Sequence, residues 1–207
     1  MTGLIGARAV DYAVLPDENR RKRLLIADMD STIIGQECLD EVAGAVGIKP
    51  QVAAITERAM RGELNFEDAL RERIGLLLGL PEAALAEVLE TRIALNRGAR
   101  ELVGTMRANG AVTILVSGGF TFFTGAIAAR AGFDTHRGNV LLFEDGRLTG
   151  VAEPILGREA KRETLLQQTG AHDIALADTL AVGDGANDLA MLELAGLGVA
   201  FYAKPVV

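Results

Sequence analysis

Residues 24–32 read Leu24-Leu25-Ile26-Ala27-Asp28-Met29-Asp30-Ser31-Thr32: four apolar side chains, then two acids two positions apart, then two hydroxyls. A short apolar run without polar alternation is the pattern of a strand covered on both faces, as in a parallel sheet. Residues 112–119, VTILVSGG, repeat the design with small polar residues at the end. Residues 180–185, LAVGDG, repeat it a third time and again reach an acid, and residues 197–202, LGVAFY, form a fourth run. Helical spacing fills the gaps. Met106 falls four after Leu102, with Asn109-Gly110 as the stop; Phe123 and Ile127 are four apart, with Gly132 as the stop; Asp188 to Leu194 opens after a glycine-rich turn. Strands alternating with helices predict an α/β fold, a doubly wound, mostly parallel sheet of Rossmann-like kind. Ligands bind such sheets at the carboxyl edge, and three runs put polar groups there: Asp28 and Asp30, Ser117, and Asp184.

More than 80 residues separate Asp28 from Val112, far more than one crossover helix needs. Val52, Ile55 and Ala59 recur at helical spacing. Asn65 can cap a next helix, with Glu67 and Asp68 in its acidic first turn, and Pro81-Glu82 starts another carrying Leu85, Val88 and Leu89. The expectation is a helical cap over residues 35–95, inserted into a core made of 1–34 and 96–207. Asp145-Gly146, between apolar runs, signals a hairpin.

A chain of 207 residues suits one domain, or one domain carrying an insertion. Its net charge of -7 leaves no electrostatic footprint for nucleic acid, and the run Arg20-Arg21-Lys22-Arg23 reads as a solvated lead-in. No apolar run approaches the roughly 18 residues that span a bilayer, and the first 20 lack the continuous apolar core of a signal peptide. One cysteine, Cys38, excludes an intrachain disulfide and fits a reducing compartment. A cytoplasmic enzyme without nucleic-acid or membrane partners is expected. Cys38 reads as a small buried hydrophobe. The only histidines, His136 and His172, fall in predicted loops, which argues against Cys–His or Ser–His catalysis and against zinc.

The chemistry gathers in a few places. Two carboxylates at the end of a buried strand are costly unless a cation or proton offsets them. Mg²⁺ is the natural partner, because it takes oxygen ligands. One carboxylate can also serve as nucleophile. A plain turn remains open, since Asp, Ser and Thr favour turns. In Val182-Gly183-Asp184-Gly185-Ala186-Asn187-Asp188 two acids four apart flank a helix start, where either alone reads as a turn or a cap. Four carboxylates together call for a metal. Ser117-Gly118-Gly119 offers a hydroxyl and peptide N–H groups to phosphate oxygens, or simply ends a strand. Lys161 can neutralise a phosphoryl group, though pattern alone does not choose it over Arg158 or Arg162. Phe66 and Arg73 are seven apart and share a helix face with Leu70 and Leu77. An arginine in an apolar stripe either snorkels or clamps a carboxylate. Glu37 is either a helix N-terminal acid or the partner of a substrate amine.

These residues resemble the haloacid dehalogenase superfamily of phosphatases, and within it the branch that acts on O-phosphoserine. Asp28-Met29-Asp30-Ser31-Thr32 is similar to the family's first motif, Ser117-Gly118-Gly119 to its second, Lys161 to its third and residues 183–188, GDGAND, to its fourth. Residues 55–66, ITERAMRGELNF, and 198–205, GVAFYAKP, carry the resemblance to the branch. Position 29 is Met where many relatives have Phe. The resemblance implies that Asp28 attacks phosphorus while Asp30 serves as acid and then base. It implies Mg²⁺ on Asp28, the Asp30 carbonyl and Asp184, with Asp188 in support. Ser117, Gly118, Lys161 and Asn187 would bind phosphate. Glu37 and Arg73 would grip the amine and carboxylate, with Met60 and Phe66 as shields. Transfer to homoserine, or hydrolysis of another small phosphate ester, would use the same core. A non-catalytic binding module would predict a damaged nucleophile or acid, and both are intact. Further strand and helix are expected beyond Val207, and the short lead leaves no room for an extra regulatory domain.

Overall fold

The computed structural model describes residues 17–157 and 159–207. The chain runs through β1 (Leu24–Ala27) and leaves the sheet for α1 (Cys38–Ala45), α2 (Lys49–Met60), α3 (Phe66–Gly75) and α4 (Glu82–Thr91). It returns through α5 (Ala99–Ala108) to β2 (Val112–Phe120). Next come α6 (Thr121–Ala131), β3 (Thr135–Asn139) and a hairpin of β4 (Leu141–Glu144) and β5 (Arg147–Val151). The path closes with α7 (Ala160–Ala171), β6 (Thr179–Gly183), α8 (Leu189–Leu194) and β7 (Leu197–Ala200). Five strands form one sheet in the order β3-β2-β1-β6-β7, all neighbours parallel.

The side-chain period of two explains why β1 is central. Leu25 and Ala27 join the cluster that holds Val103 of α5 and Ile127 of α6. Leu24 and Ile26 join the opposite cluster, with Leu165 of α7 and Met191 of α8. All four are fully buried, so the strand cannot sit at an edge. Burying one such side chain contributes about 1.5–3 kcal/mol.

The insertion leaves and rejoins the core at one place. Ile34 bridges Leu95, and Asn96 N–H donates to the Ile33 carbonyl at 2.9 Å. Leu70 and Ile74 of α3 belong to the same apolar cluster as Leu25. The hairpin turn forms where expected: Asp145 and Gly146 both have positive φ, 48° and 70°, as the tight mirror-type turn requires. The hairpin also reaches the insertion. Gly79 N–H donates to the Leu148 carbonyl at 2.8 Å and Leu148 N–H to the Leu80 carbonyl at 2.9 Å, so β5 is paired to the insertion.

β3 is a further difference. Its sequence, Thr135-His136-Arg137-Gly138-Asn139, lacks an apolar run because it is an edge strand paired only to β2. His136, expected in a loop, therefore lies in a strand, with Nδ1 2.9 Å from the Thr124 hydroxyl. Strand ends also fall slightly short of the sequence reading. β1 stops at Ala27 and β6 at Gly183, leaving Asp28 and Asp184 each one residue past a strand. Arg158 lies outside the described residues.

Candidate active site

β1 and β6 are parallel neighbours, and the chain winds away from them in opposite directions. A crevice opens at such a reversal, on the carboxyl edge. Asp28 and Asp184 both sit there, and Asp28 N–H donates to the Val182 carbonyl at 2.9 Å. After Asp28 the chain makes one wide turn over Met29–Ile33, closed by Ile34 N–H on the Met29 carbonyl at 3.0 Å. Ser31 takes a left-handed φ of 55° within it.

Asp28, Asp184 and Asp188 each offer an oxygen within 4.8 Å of the others, and all three are buried. Lys161 Nζ lies 2.7 Å from Asp28 Oδ2 and 2.5 Å from Asp188 Oδ1. Pattern alone left Lys161 undistinguished from Arg158 and Arg162, and the family resemblance picked it out; it is buried, tied to two carboxylates. Asp188 stands at the N-cap position of α8 but makes no side-chain cap bond. Its Oδ2 accepts from the peptide N–H groups of Asp184 at 3.1 Å and Gly185 at 2.9 Å, holding the glycine turn. Thr32 Oγ1 donates to Asp184 Oδ1 at 3.1 Å.

Three acids against one ammonium leave this buried cluster short of positive charge. Burial pushes Asp28 up to about 8, against the pull of the Lys161 ammonium, and Asp188 and Asp30 add to the rise. A set of hard oxygen donors with excess negative charge fits a divalent cation, which would reverse that effect. The folded value stands above the ordinary 3.8, so the protonated form stabilises the fold. That contribution is complete below about pH 4 and is lost as pH rises through 8. In chelator, the Tm of Asp28→Asn minus that of the unmodified chain is expected to grow between pH 5 and pH 9 by at least about 3 °C. Adding a divalent cation at pH 8 closes most of that gap. A difference that does not change with pH contradicts the charge account.

Asp30 is engaged elsewhere. Its Oδ1 accepts from Cys38 N–H at 2.9 Å and its Oδ2 from the Ser117 hydroxyl at 3.1 Å. Burial raises its pKa, while the bonds from Cys38 and Ser117 oppose the rise. It is a carboxyl able to carry a proton beside a cluster that repels one more charge. Ser117 Oγ also accepts from Gly119 N–H at 2.8 Å, which fixes the tight turn. A Cβ at Gly118 would stand 3.0 Å from Cζ of Phe66, so a larger residue there would require the ring to shift.

Facing this edge is α3. Asn65 caps it as expected, accepting from Asp68 N–H at 2.7 Å. Leu70 is buried on its inner stripe, and Phe66 and Arg73 of the same stripe line the pocket; Leu77, expected on that face, is buried in the turn past the end of the helix at Gly75. Arg73 Nε donates to the Ala69 carbonyl at 3.1 Å, and among the described residues Arg73 has no ion pair. Burial lowers its pKa, with Asp40 and Glu37 opposing. Glu37 stands at the N-cap position of α1 but makes no side-chain cap bond; its Oε1 accepts from the Ser31 hydroxyl at 2.8 Å. One cavity of about 150 Å³ is thus shared by Asp28, Asp30, Ser117, Gly118, Asp184 and Asn187 from the sheet edge and by Glu37, Phe66 and Arg73 from the insertion.

Residues 25–193 match the haloacid dehalogenase-like hydrolases. The chain belongs to that family. A curated relative, the phosphoserine phosphatase of Albidiferax ferrireducens, is 49% identical over 191 residues, covering 89% of this hydrolase and 81% of the relative. A substrate-bound phosphoserine phosphatase complex superposes with a TM-score of 0.82 at 40% identity, covering 90% of this chain and 89% of that one. A phospho-aspartyl intermediate analogue of phosphoserine phosphatase gives 0.81 at 41% identity, covering 90% of each chain.

In this hydrolase one candidate stands apart. Met60 does not line the pocket and is 82% exposed. It ends α2, and a period of 3.6 residues sets it roughly 100° round the helix from the middle of the Val52–Ile55–Ala59 stripe. Two groups beside the cluster were not assigned a role from the sequence. Thr32, bonded to Asp184, follows the paired acids and reads there as part of the turn. Lys204 lines the pocket, and in the sequence it is only one member of the 198–205 stretch, GVAFYAKP, that carries the family resemblance. Among the described residues no helix is long and apolar enough to cross a membrane.

Proposed function

We propose that this hydrolase cleaves O-phosphoserine to serine and phosphate through an aspartyl-phosphate on Asp28, with Mg²⁺ as its cation. The observation that carries the reading is the shared cavity. A carboxylate and an unpaired guanidinium, Glu37 and Arg73, face a phosphate-handling edge across about 150 Å³. That is the complement of an ammonium, a carboxylate and a phosphate on one small molecule. The phosphoserine phosphatases among its relatives support the same choice.

In this reading an Asp28 oxygen attacks phosphorus and the bond to the serine oxygen breaks. Asp30, protonated beforehand, gives that oxygen its proton. It then takes one from the water that cleaves the acyl phosphate, returning Asp28 and releasing phosphate. Ser117, the Gly118 N–H, Lys161 and Asn187 hold the phosphate oxygens, and Asp188 keeps Lys161 and the Asp184 turn in place. Mg²⁺, on Asp28, the Asp30 carbonyl and Asp184, would supply neutralising charge. Phe66 covers the pocket, and Met60 has no part. We take residues 35–95 as the cap, the layer that selects the substrate, with the hairpin as its support. In the cytoplasm such an enzyme would complete serine biosynthesis.

A panel of phosphate esters, with and without homoserine as acceptor, tests the substrate. Phosphoserine is expected to exceed esters lacking the amine and carboxylate by at least about 100-fold in kcat/KM, since two buried charged contacts are involved. Equal rates across the panel, or faster product formation on homoserine, would remove the proposal.

A further inference from the structure

The pocket is lined by a lysine other than Lys161, with quite different surroundings. Lys161 is saturated: it is buried, with carboxylate oxygens at 2.7 and 2.5 Å. Among the described residues Lys204 has one carboxylate within 4 Å, Asp184 Oδ2 at 3.6 Å, with Glu37 of the same pocket near enough to feel its charge, and its side chain is 62% exposed. Its backbone is nevertheless fixed. After β7 the chain folds back over the end of β6. Phe201 N–H donates to the Gly183 carbonyl and Lys204 N–H to the Asp184 carbonyl, both at 2.9 Å. A turn closed by Val207 N–H on the Lys204 carbonyl, also 2.9 Å, completes the fold-back. The main chain is thus anchored at the carboxylate cluster while the ammonium keeps its reach and most of its donors. Lysine suits such a post, being a compact charge on a flexible stem.

We propose that Lys204 is a substrate-binding residue that exchanges partners. It sits on Asp184 while the pocket is empty. Once a cation takes that carboxylate, like charges repel the ammonium, which turns to the phosphate oxygens of the ester. The inference rests on the phosphatase reading of the site, and two consequences follow. Lys204 competes with the cation for Asp184, and it grips phosphate whatever alcohol the ester carries.

Lys204→Met and Lys204→Arg, both at an exposed side chain, test this on the full chain. Metal binding is read without turnover, from Tm against Mg²⁺ concentration in the absence of substrate. Lys204→Met is expected to lower the half-saturating Mg²⁺ about threefold or more. For turnover, KM is expected to rise about tenfold with kcat falling less than threefold. The rise should be the same for phosphoserine and for phenyl phosphate, which lacks amine and carboxylate. Lys204→Arg is expected to bring KM back to within threefold. Unchanged KM with unchanged Mg²⁺ affinity overturns the proposal. So does a KM effect confined to phosphoserine, which would assign Lys204 to the amino-acid end. If phosphoserine itself proves a poor substrate, phenyl phosphate still reports on Lys204, so the two ideas fail separately.

Discussion

Asp28→Asn is expected to lower kcat by at least about 10⁴-fold, because an amide cannot form the acyl phosphate and the remaining groups act only around that bond. The fold should survive the change. Lys161 keeps Asp188 at 2.5 Å, so its ammonium is not left unpaired. The Met29 N–H that donates to Asp28 Oδ1 at 2.7 Å can donate to the amide oxygen instead. Circular dichroism and Tm measured beside the assay separate lost chemistry from lost structure. Turnover within tenfold of the unmodified enzyme would move the nucleophile elsewhere.

The second large effect concerns recognition. Arg73→Ala is expected to cut kcat/KM for phosphoserine by roughly 30- to 4000-fold, the range that about 2–5 kcal/mol spans when one member of a desolvated charge pair is removed. For phenyl phosphate the change should stay within about threefold. The geometry separates the two esters. Arg73 stands on α3 in the insertion, tethered through Nε to the Ala69 carbonyl, whereas Ser117 and Asp28 belong to strand ends of the sheet. Equal losses on both esters would mean that Arg73 shapes the pocket rather than reading a carboxylate.

The sequence made the central strands and their acids legible because both signals are local. A run such as Leu24-Leu25-Ile26-Ala27 can be buried on both faces only inside a sheet, and the acid at its end then stands at the ligand edge. Arg73 was legible as an anomaly in a helical stripe. What stayed hidden depends on distant parts of the chain. β3 is polar because one side of it lacks a neighbouring strand. No local pattern connects Leu148 to Gly79 and Leu80, since that pairing joins a hairpin strand to a turn far away in sequence. By local pattern Lys161 looks like any lysine on a helix, and only the family resemblance marks it; Asp28 and Asp188 close round it in the fold. The place of Lys204 in the pocket is not local either: a fold-back onto Asp184 creates it. Met60 illustrates helix phase, where one residue past a buried stripe is enough to face solvent.

Ile34 and Leu95 stand side by side where the insertion departs and returns. Seen from the sheet, everything between them is a detour with a single doorway. A lineage could exchange, shorten or redecorate that detour without rethreading one strand beneath it. Under the proposed reading, in which the insertion selects the substrate, which molecule is admitted and what is done to it can be inherited separately, and a graft across that doorway is the natural way to give the same chemistry a new guest.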